Sequence, residues 1–302
     1  TEKALLSHKD GCALRGTYAH IHVSSFRFQS PRSLSLTPLA VLACLPPKHA
    51  APRMPAAPLP TPVIYVHGWL GTHADWAPVQ TLLPGWTVDL PGHGASLSLP
   101  SGTYSLSGTA DALVDALDAA ALERPVLVGY SMGGRVAMTA ALRHPGRFRA
   151  LVVESASPGL SSDAERAARH ALDDARAAHV ERDFAGFLAS WYQLPLFASL
   201  ALEPGRVEAT IAERLRGDPG ELARALRGLS VAHHPSYWDR LGALPPTLAL
   251  AGARDEKYVH IVQLMARAST VTARIVSAAG HNVHRERPAA FVDAVVAWFE
   301  TL

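Results

Sequence analysis

One short segment, residues 129–133, limits the fold most, because it joins a predicted strand to a predicted helix through a serine. The sequence there reads "GYSMG", after the apolar run "RPVLV" and before the helical pattern "RVAMTAALR". A G-x-S-x-G motif in this context predicts a sharp turn that exposes Ser131 as a nucleophile, with glycines allowing close packing. A serine that only caps the following helix is the alternative that the motif leaves open.

Apolar runs and helical stretches alternate from Pro62 onward, which predicts an α/β fold with a mostly parallel, doubly wound sheet. This alternation of predicted strands and helices stops at about residue 160. From there to about residue 241 the chain is predicted to be mostly helical and is rich in Arg and Ala. We therefore expect a core formed by residues 54–159 and 242–302, with residues 160–241 inserted as a helical cap.

The N-terminal segment, residues 1–53, differs in composition from the rest of the 302-residue chain. It is rich in Ser, Pro, His and Arg, shows no sustained periodicity and precedes the first methionine, Met54. We expect it to be disordered or an upstream extension outside the folded domain, with a targeting role as the alternative. Its apolar stretch, residues 34–47, is too short and too rich in proline to span a bilayer.

Charge and cysteine usage exclude several classes of partner. The N-terminal segment holds seven of the 28 Lys and Arg and two of the 26 acids, which leaves 21 basic and 24 acidic residues elsewhere. This slightly acidic remainder gives no reason to expect nucleic-acid or membrane binding. Both cysteines, Cys12 and Cys44, lie in the same segment, so we expect a cytoplasmic protein without disulfides or a thiolate metal site. The sequence is equally compatible with a monomer and with a weak homo-oligomer.

A serine nucleophile needs a base and an orienting acid, and candidates for both follow later strands. Asp255 follows the apolar run "TLALAGAR", and His281 follows "ARIVSAAG". The chain order Ser, Asp, His is that of the α/β hydrolases. The sequence thus predicts a catalytic triad of Ser131, Asp255 and His281, with Glu256 as the alternative to Asp255.

His284 is the alternative to His281. We favour His281 because it directly follows the strand-ending Gly280, and we expect His284 at the surface or at the start of a helix. The spacing of the two histidines also fits a metal site, but no third ligand is evident, so no metal and no cofactor are predicted.

Two backbone N–H groups are candidates for an oxyanion hole. Trp69 follows the first predicted strand in "HGW", and Met132 is the residue after the serine. In a fold of this kind these two positions supply the oxyanion donors. His93, in the turn "DLPGHGAS", is predicted to be a structural hydrogen-bonding residue and not a catalyst.

Arg135 lies four residues after Ser131, one helical turn along and on the same face. A cation in the first turn of a helix opposes the helix dipole, so an anion should compensate for it. Either a nearby acidic side chain or a substrate carboxylate fits this requirement, and the residues alone do not separate the two.

Residues 61–302 resemble the 2-succinyl-6-hydroxy-2,4-cyclohexadiene-1-carboxylate synthase family, lyases of menaquinone biosynthesis with an α/β-hydrolase fold. The resemblance depends on the stretches "HGWLG", "DLPGHG", "VGYSMGGRVAM", "WYQLPLFASL" and "GHNVHRERP". It implies elimination of pyruvate from a small polyanionic substrate, with Ser131 as a base activated by His281 and Asp255. A serine hydrolase, either a carboxylesterase or a carbon–carbon bond hydrolase, is the alternative function.

The same resemblance implies a set of substrate-binding residues. Arginines would bind carboxylates, and aromatic side chains would line the pocket; these residues are Tyr130, Arg135, Arg169, Trp191, Phe197 and Arg214. Arg166 is a weaker candidate, because arginines on cap helices also occur on solvated faces.

Overall fold

A computed structural model describes residues 61–302, so the predicted N-terminal extension lies outside the described residues. Six strands form one fully parallel sheet in the order β2-β1-β3-β4-β5-β6. The strands are β1 (Val63–Val66), β2 (Trp86–Val88), β3 (Val126–Tyr130), β4 (Ala150–Glu154), β5 (Thr247–Gly252) and β6 (Val271–Val276). The parallel α/β sheet predicted from the alternating pattern is confirmed.

The described residues also contain ten α-helices. They are α1 (Ala77–Gln80), α2 (Leu106–Ala119), α3 (Met132–Arg143), α4 (Asp163–Arg182), α5 (Phe184–Trp191), α6 (Arg206–Arg214), α7 (Pro219–Gly228), α8 (Glu256–Met265), α9 (Val283–Glu286) and α10 (Pro288–Phe299). None of these helices is long and apolar enough to cross a membrane.

The strands are apolar throughout because helices cover both faces of the sheet. Ile64 and Val66 point to the face covered by α2, α3 and α8, whereas Val63 and Tyr65 point to the face covered by α10. This alternation within β1 follows from the two-residue period of a strand. The doubly wound arrangement therefore has one apolar layer on each side of the sheet.

Between β4 and β5 the chain forms α4 to α7 and several short 3₁₀ segments. We call residues 163–243 the cap. Helix α4 begins with a capping box, in which Ser162 and Glu165 satisfy each other's backbone N–H groups. The cap has its own apolar cluster, in which Phe187 and Leu226 pack with Leu70 from the loop after β1. That contact seats the cap above the ends of the strands.

Candidate active site

The carboxyl ends of the parallel strands meet at one edge of the sheet, where open α/β sheets hold their sites. Ser131 lies there, between β3 and α3, with φ 50° and ψ −106°, a strained conformation for a residue with a side chain. A Cβ on Gly129 would lie 2.4 Å from the carbonyl oxygen of Gly133, and one on Gly133 would lie 2.3 Å from that of Val66. Only glycines fit at these two positions, so the predicted sharp turn is present.

Asp255 and His281 meet at the same edge. The His281 Nδ1 lies 2.6 Å from Asp255 Oδ2, and both side chains are buried. The other carboxylate oxygen of Asp255 accepts a hydrogen bond from the Tyr258 N–H at 3.3 Å, which places Asp255 at the N-cap of α8. The carboxylate is thus fixed by its helix and orients the imidazole, as the predicted dyad requires.

Ser131, Asp255 and His281 all line one cavity of about 620 Å³ beneath the cap. Among residues 61–302 no hydrogen bond joins the Ser131 hydroxyl to His281. Catalytic hydrogen bonds are often long in a site without substrate and shorten when it binds. The structure brings the three predicted residues to one cavity, and their joint action remains a prediction.

Trp69 and Met132, the predicted oxyanion donors, line the same cavity. The Trp69 indole N–H donates to the Leu222 carbonyl of α7 at 3.0 Å, so this side chain also contacts the cap. The loop after β1 is held by His93, whose Nε2 accepts the Leu70 N–H at 3.2 Å while its Nδ1 lies 2.9 Å from the Pro91 carbonyl. His93 is therefore the structural hydrogen-bonding residue that the sequence predicted.

Burial keeps His93 neutral. It lowers the pKa of His93 from 6.5 to about 3, and the neighbouring His67 acts in the same direction. Because Nδ1 donates to Pro91, the ring nitrogen that faces Leu70 is free to accept a hydrogen bond. The conformation of the loop that carries Trp69 therefore depends on an uncharged imidazole.

The predicted aromatic residues lie around His281. The Tyr130 ring lies edge-on to His281 at 5.3 Å between centroids, and the Phe197 ring does so at 6.2 Å. Trp191 packs between Phe197 and Trp69, at 5.6 and 5.2 Å respectively. All of these residues line the cavity, which gives it an apolar roof and wall.

Arg135 has no acidic partner within the described residues, although it is only 8% exposed. Its Nη1 donates to the Leu229 carbonyl at 2.7 Å, and the residue lines the cavity. Burial lowers the pKa of Arg135 to about 10, with repulsion from Arg169 acting in the same direction, so the group still carries its charge at neutral pH. Asp173 attracts Arg135 from a distance, but among residues 61–302 no acidic side chain forms an ion pair or a hydrogen bond with it.

Arg169 faces the cavity beside a second arginine that the sequence reasoning missed, Arg176. Both contact one buried carboxylate, Asp173, through Arg169 Nε at 2.8 Å and Arg176 Nη1 at 3.1 Å. Asp173 also accepts a hydrogen bond from the Ser230 hydroxyl at 2.7 Å. Two guanidinium groups share one carboxylate, so this wall of the cavity keeps a net positive charge. Arg166 instead pairs with Asp163 and is not among the residues that line the cavity.

Arg214 also lines the cavity, but its guanidinium is held by a protein carboxylate. Its two terminal nitrogens donate to the two oxygens of Asp75, each at 2.8 Å, and both side chains are buried. Burial alone would lower the pKa of Arg214, but Asp75 outweighs it and raises that pKa. Burial alone would raise the pKa of Asp75, and Arg214 holds it below its usual value. The charge of Arg214 is thus compensated within the protein, and its predicted role in substrate binding stays untested.

Of the two positions expected for His284, the surface or the start of a helix, the structure shows the second. His284 is the second residue of α9, as a helix-start residue would be, but it is fully buried. Its Nδ1 lies 2.8 Å from Glu154 Oε2, and its ring stacks on Trp76 at 4.0 Å. This contact has no local signal in the sequence, because 130 residues separate Glu154 from His284.

Other site residues were missed for the same reason, with one exception. Nothing in the sequence links Asp75 to Arg214, which are 139 residues apart. Arg176, in contrast, follows Arg169 by seven residues, two turns of a helix, so the shared face could have been recognised. No group of three or more His, Cys, Asp or Glu residues within 61–302 is arranged to hold a metal ion.

Comparisons with known proteins agree with this geometry. A family model of the alpha/beta hydrolase fold matches residues 61–288. A 2-succinyl-6-hydroxy-2,4-cyclohexadiene-1-carboxylate synthase from Salmonella schwarzengrund is 36% identical over 254 residues, which are 81% of this chain and 96% of the relative. A synthase of the same name from Citrobacter koseri is 36% identical over 238 residues, covering 77% of this chain and 91% of the relative.

Two solved structures are also similar. The structure of MenH from S. aureus has a TM-score of 0.76 and 31% identity, covering 80% of this chain and 94% of its own. A thermophilic esterase from Thermogutta terrifontis, solved with malate bound, has a TM-score of 0.68 and 26% identity, covering 80% and 90%. By fold and by sequence, the chain belongs to the α/β hydrolases and, within them, to the 2-succinyl-6-hydroxy-2,4-cyclohexadiene-1-carboxylate synthase family.

Proposed function

We propose that this chain is a carbon–oxygen lyase that eliminates pyruvate from 2-succinyl-5-enolpyruvyl-6-hydroxy-3-cyclohexene-1-carboxylate. The product would be 2-succinyl-6-hydroxy-2,4-cyclohexadiene-1-carboxylate, the compound that the curated relatives are named for making. The observation that carries the proposal is Arg135, a buried cation without an acidic partner among the described residues, one helical turn from Ser131. A buried unpaired charge is costly unless a ligand supplies the opposite charge.

The charge of the cavity suits such a ligand. The substrate carries carboxylates on its succinyl, ring and enolpyruvyl groups. Arg135 has no acidic partner in the described part of the chain, and Arg169 and Arg176 share the single carboxylate of Asp173. Guanidinium groups bind carboxylates through two parallel hydrogen bonds, which fixes orientation as well as charge. We assign substrate carboxylates to Arg135 and Arg169, and apolar contacts with the ring to Tyr130, Trp191 and Phe197.

In the proposed reaction His281, oriented by Asp255, accepts the proton of the Ser131 hydroxyl. Ser131 then removes the proton on ring carbon 2, next to the succinyl carbonyl, and the two backbone N–H groups of Trp69 and Met132 stabilise the enolate oxygen. The electron pair of the broken C–H bond returns through the ring double bond and expels the enolpyruvyl oxygen from carbon 5. The leaving group takes up a proton and becomes pyruvate, and no acyl-enzyme forms.

A serine hydrolase is the second candidate, because the esterase from Thermogutta terrifontis has the same fold at 26% identity. It would use Ser131 as a nucleophile toward an ester carbonyl. A neutral ester, however, offers nothing to compensate the charge of Arg135. The arginine environment therefore favours the lyase.

The experiment supplies purified protein with substrate made in situ by a thiamine-dependent synthase and follows pyruvate release. Hydrolysis of a p-nitrophenyl ester is measured with the same preparation. We expect pyruvate release to be strongly accelerated and ester hydrolysis to be slow. Fast ester hydrolysis without any acceleration of pyruvate release would refute the lyase proposal.

A further inference from the structure

Two buried carboxylates that the proposed reaction does not use hold the loop that carries His281. We call residues 280–286 the histidine loop. Glu286 is 9% exposed and Glu154 is fully buried. A carboxylate in the protein interior is tolerated when it accepts several hydrogen bonds. The groups that donate to these two carboxylates therefore show what each of them holds in place.

Glu286 binds the backbone on both sides of the catalytic histidine. Its Oε2 accepts the Gly280 N–H at 2.8 Å, and its Oε1 accepts the Asn282 N–H at 3.2 Å. His281 lies between these two residues. The carboxylate thus fixes the backbone from which the imidazole extends toward Asp255.

Glu154 connects the histidine loop to the serine turn. Its side chain accepts the His284 N–H at 3.2 Å and lies 2.8 Å from the His284 Nδ1. Its backbone carbonyl accepts the Ser131 N–H at 2.8 Å. One residue at the end of β4 therefore contacts both segments that must meet for proton transfer.

Ring packing restricts the loop further. The His284 ring is stacked on Trp76 and lies 4.9 Å from Tyr130, whose other neighbour is His281 at 5.3 Å. A rotation of the loop would displace this buried stack. The hydrogen bonds and the stack together limit the positions that the His281 ring can take.

We propose that Glu286 is a positioning residue for His281, and that Glu154, through His284, fixes the same loop relative to Ser131. The inference rests on the part of the proposed function in which Ser131 and His281 exchange a proton. Neither Glu286 nor Glu154 is among the residues that line the cavity. Both act by setting the distance and angle between the Ser131 hydroxyl and the imidazole, on which proton transfer depends steeply.

The test uses Glu286→Gln and Glu154→Gln, which keep the size of the side chain but replace one accepting oxygen with an amide NH₂. Glu165→Gln is the matched control, because Glu165 Oε2 accepts the N–H groups of Ser161 and Ser162, at 2.9 and 3.0 Å, outside the cavity. Steady-state pyruvate release gives kcat and KM. Proton NMR follows the His281 Nδ1–H, whose short bond to Asp255 is expected to give a downfield resonance without any substrate.

We expect both site variants to lower kcat by about 10- to 100-fold, with KM changed by less than about twofold, because the ground-state contacts stay intact. The downfield resonance should shift or broaden in both, and the control should change neither readout. Unchanged kcat and an unchanged resonance in a folded Glu286→Gln variant would overturn the proposal, as would equal losses in the control.

If Glu286→Gln does not fold, Glu286→Asp takes its place, since it keeps the charge but shortens the reach by one methylene. The same decrease in kcat and the same NMR change support the proposal, and wild-type values overturn it. The NMR readout needs no substrate. A protein that releases no pyruvate but shows the NMR change would refute the proposed function and leave this inference standing.

Discussion

The two sides of the cavity are built differently. On the core side, Ser131, Asp255 and His281 each follow a strand of one parallel sheet, so the topology alone brings them together. On the cap side, the arginines lie on helices, and what each can do depends on the acid beside it. The topology of the sheet determines where the reactive groups lie. Ion pairs between arginines and acidic side chains determine which positive charges remain available to a substrate.

Arg135 and Arg214 show the difference between an arginine without an acidic partner and one that is paired. Both are buried, at 8% and 6% exposure, and both line the cavity. Arg214 donates to both oxygens of Asp75, and Arg135 donates to a neutral backbone carbonyl. The first charge is compensated within the protein, and the second is available for a ligand.

The largest effect is expected on the core side. Ser131→Ala should lower kcat for pyruvate release by about 10⁴-fold, because the residual rate then comes from binding and the oxyanion donors alone. Ser190→Ala, which removes a cap hydroxyl bound to the Phe187 carbonyl, is the control and should leave kcat unchanged. A Ser131→Ala variant with more than about a tenth of wild-type kcat would exclude Ser131 as the base.

The second-largest effect is expected on the stability of the protein when the paired arginine, Arg214, is replaced. Arg214→Met should lower the free energy of unfolding by about 3 kcal/mol, because Asp75 then keeps only its contact with Arg285, whose Nη1 lies 3.4 Å from Asp75 Oδ1. Arg227→Met breaks an exposed pair with Glu181 at 2.6 Å and should cost less than about 1 kcal/mol. Urea unfolding followed by circular dichroism gives both values. Equal losses in the two variants would show that the Arg214–Asp75 pair has no special importance.

A smaller effect is expected for the unpaired arginine. Arg135→Met should raise KM for the anionic substrate by about 10- to 100-fold, the equivalent of one charge-assisted contact. Its stability should change little, because methionine fills the space without a charge to desolvate. Arg224→Met, which removes a guanidinium stacked on Tyr104 away from the cavity, is the control for activity. An unchanged KM in Arg135→Met would remove the basis for the lyase assignment.

The smallest effect concerns the neutral histidine beneath the oxyanion loop. Because burial lowers the pKa of His93 to about 3, the unfolded chain binds a proton below pH 6.5 that the folded protein excludes. This group therefore makes stability fall as pH falls from 6.5 toward 3, by about 1.4 kcal/mol for each pH unit.

His93→Gln removes the titration and keeps an acceptor and a donor. The loss of unfolding free energy between pH 7 and pH 5.5 should be smaller in this variant by about 1 kcal/mol. His260→Gln, on the exposed face of α8, should retain the wild-type dependence. A pH dependence of unfolding that is identical in His93→Gln and wild type would contradict a neutral His93.

The core side could be predicted from the sequence because its signals are local. Apolar runs mark the strands, and Asp255 and His281 lie in the loops that follow β5 and β6, at the edge of the sheet where sites form. The parallel sheet, the serine turn and the pairing of Asp255 with His281 all follow from that pattern. Arg135 could be found too, because its spacing from Ser131 is one helical turn.

The cap side could not be predicted to the same depth. Whether a cap arginine is free or paired depends on contacts between distant segments, such as that of Asp75 with Arg214. Such contacts leave no periodic signal in a single sequence. The burial of His284 against Glu154, on the core side, was not predicted for the same reason, because the two residues are distant in the sequence.

The most direct test of the distinction between paired and unpaired arginines measures ligand-induced stabilisation. The melting temperatures of wild type, Arg135→Met and Arg224→Met are compared with and without 2-succinylbenzoate, a stable compound with succinyl and ring carboxylates. A ligand that binds only the folded protein raises its melting temperature in proportion to the binding free energy. We predict that 2-succinylbenzoate stabilises wild type and Arg224→Met equally, and that Arg135→Met melts like wild type without ligand but gains clearly less when the same concentration of ligand is added. An equal gain in all three proteins would contradict the assignment of Arg135 to a substrate carboxylate.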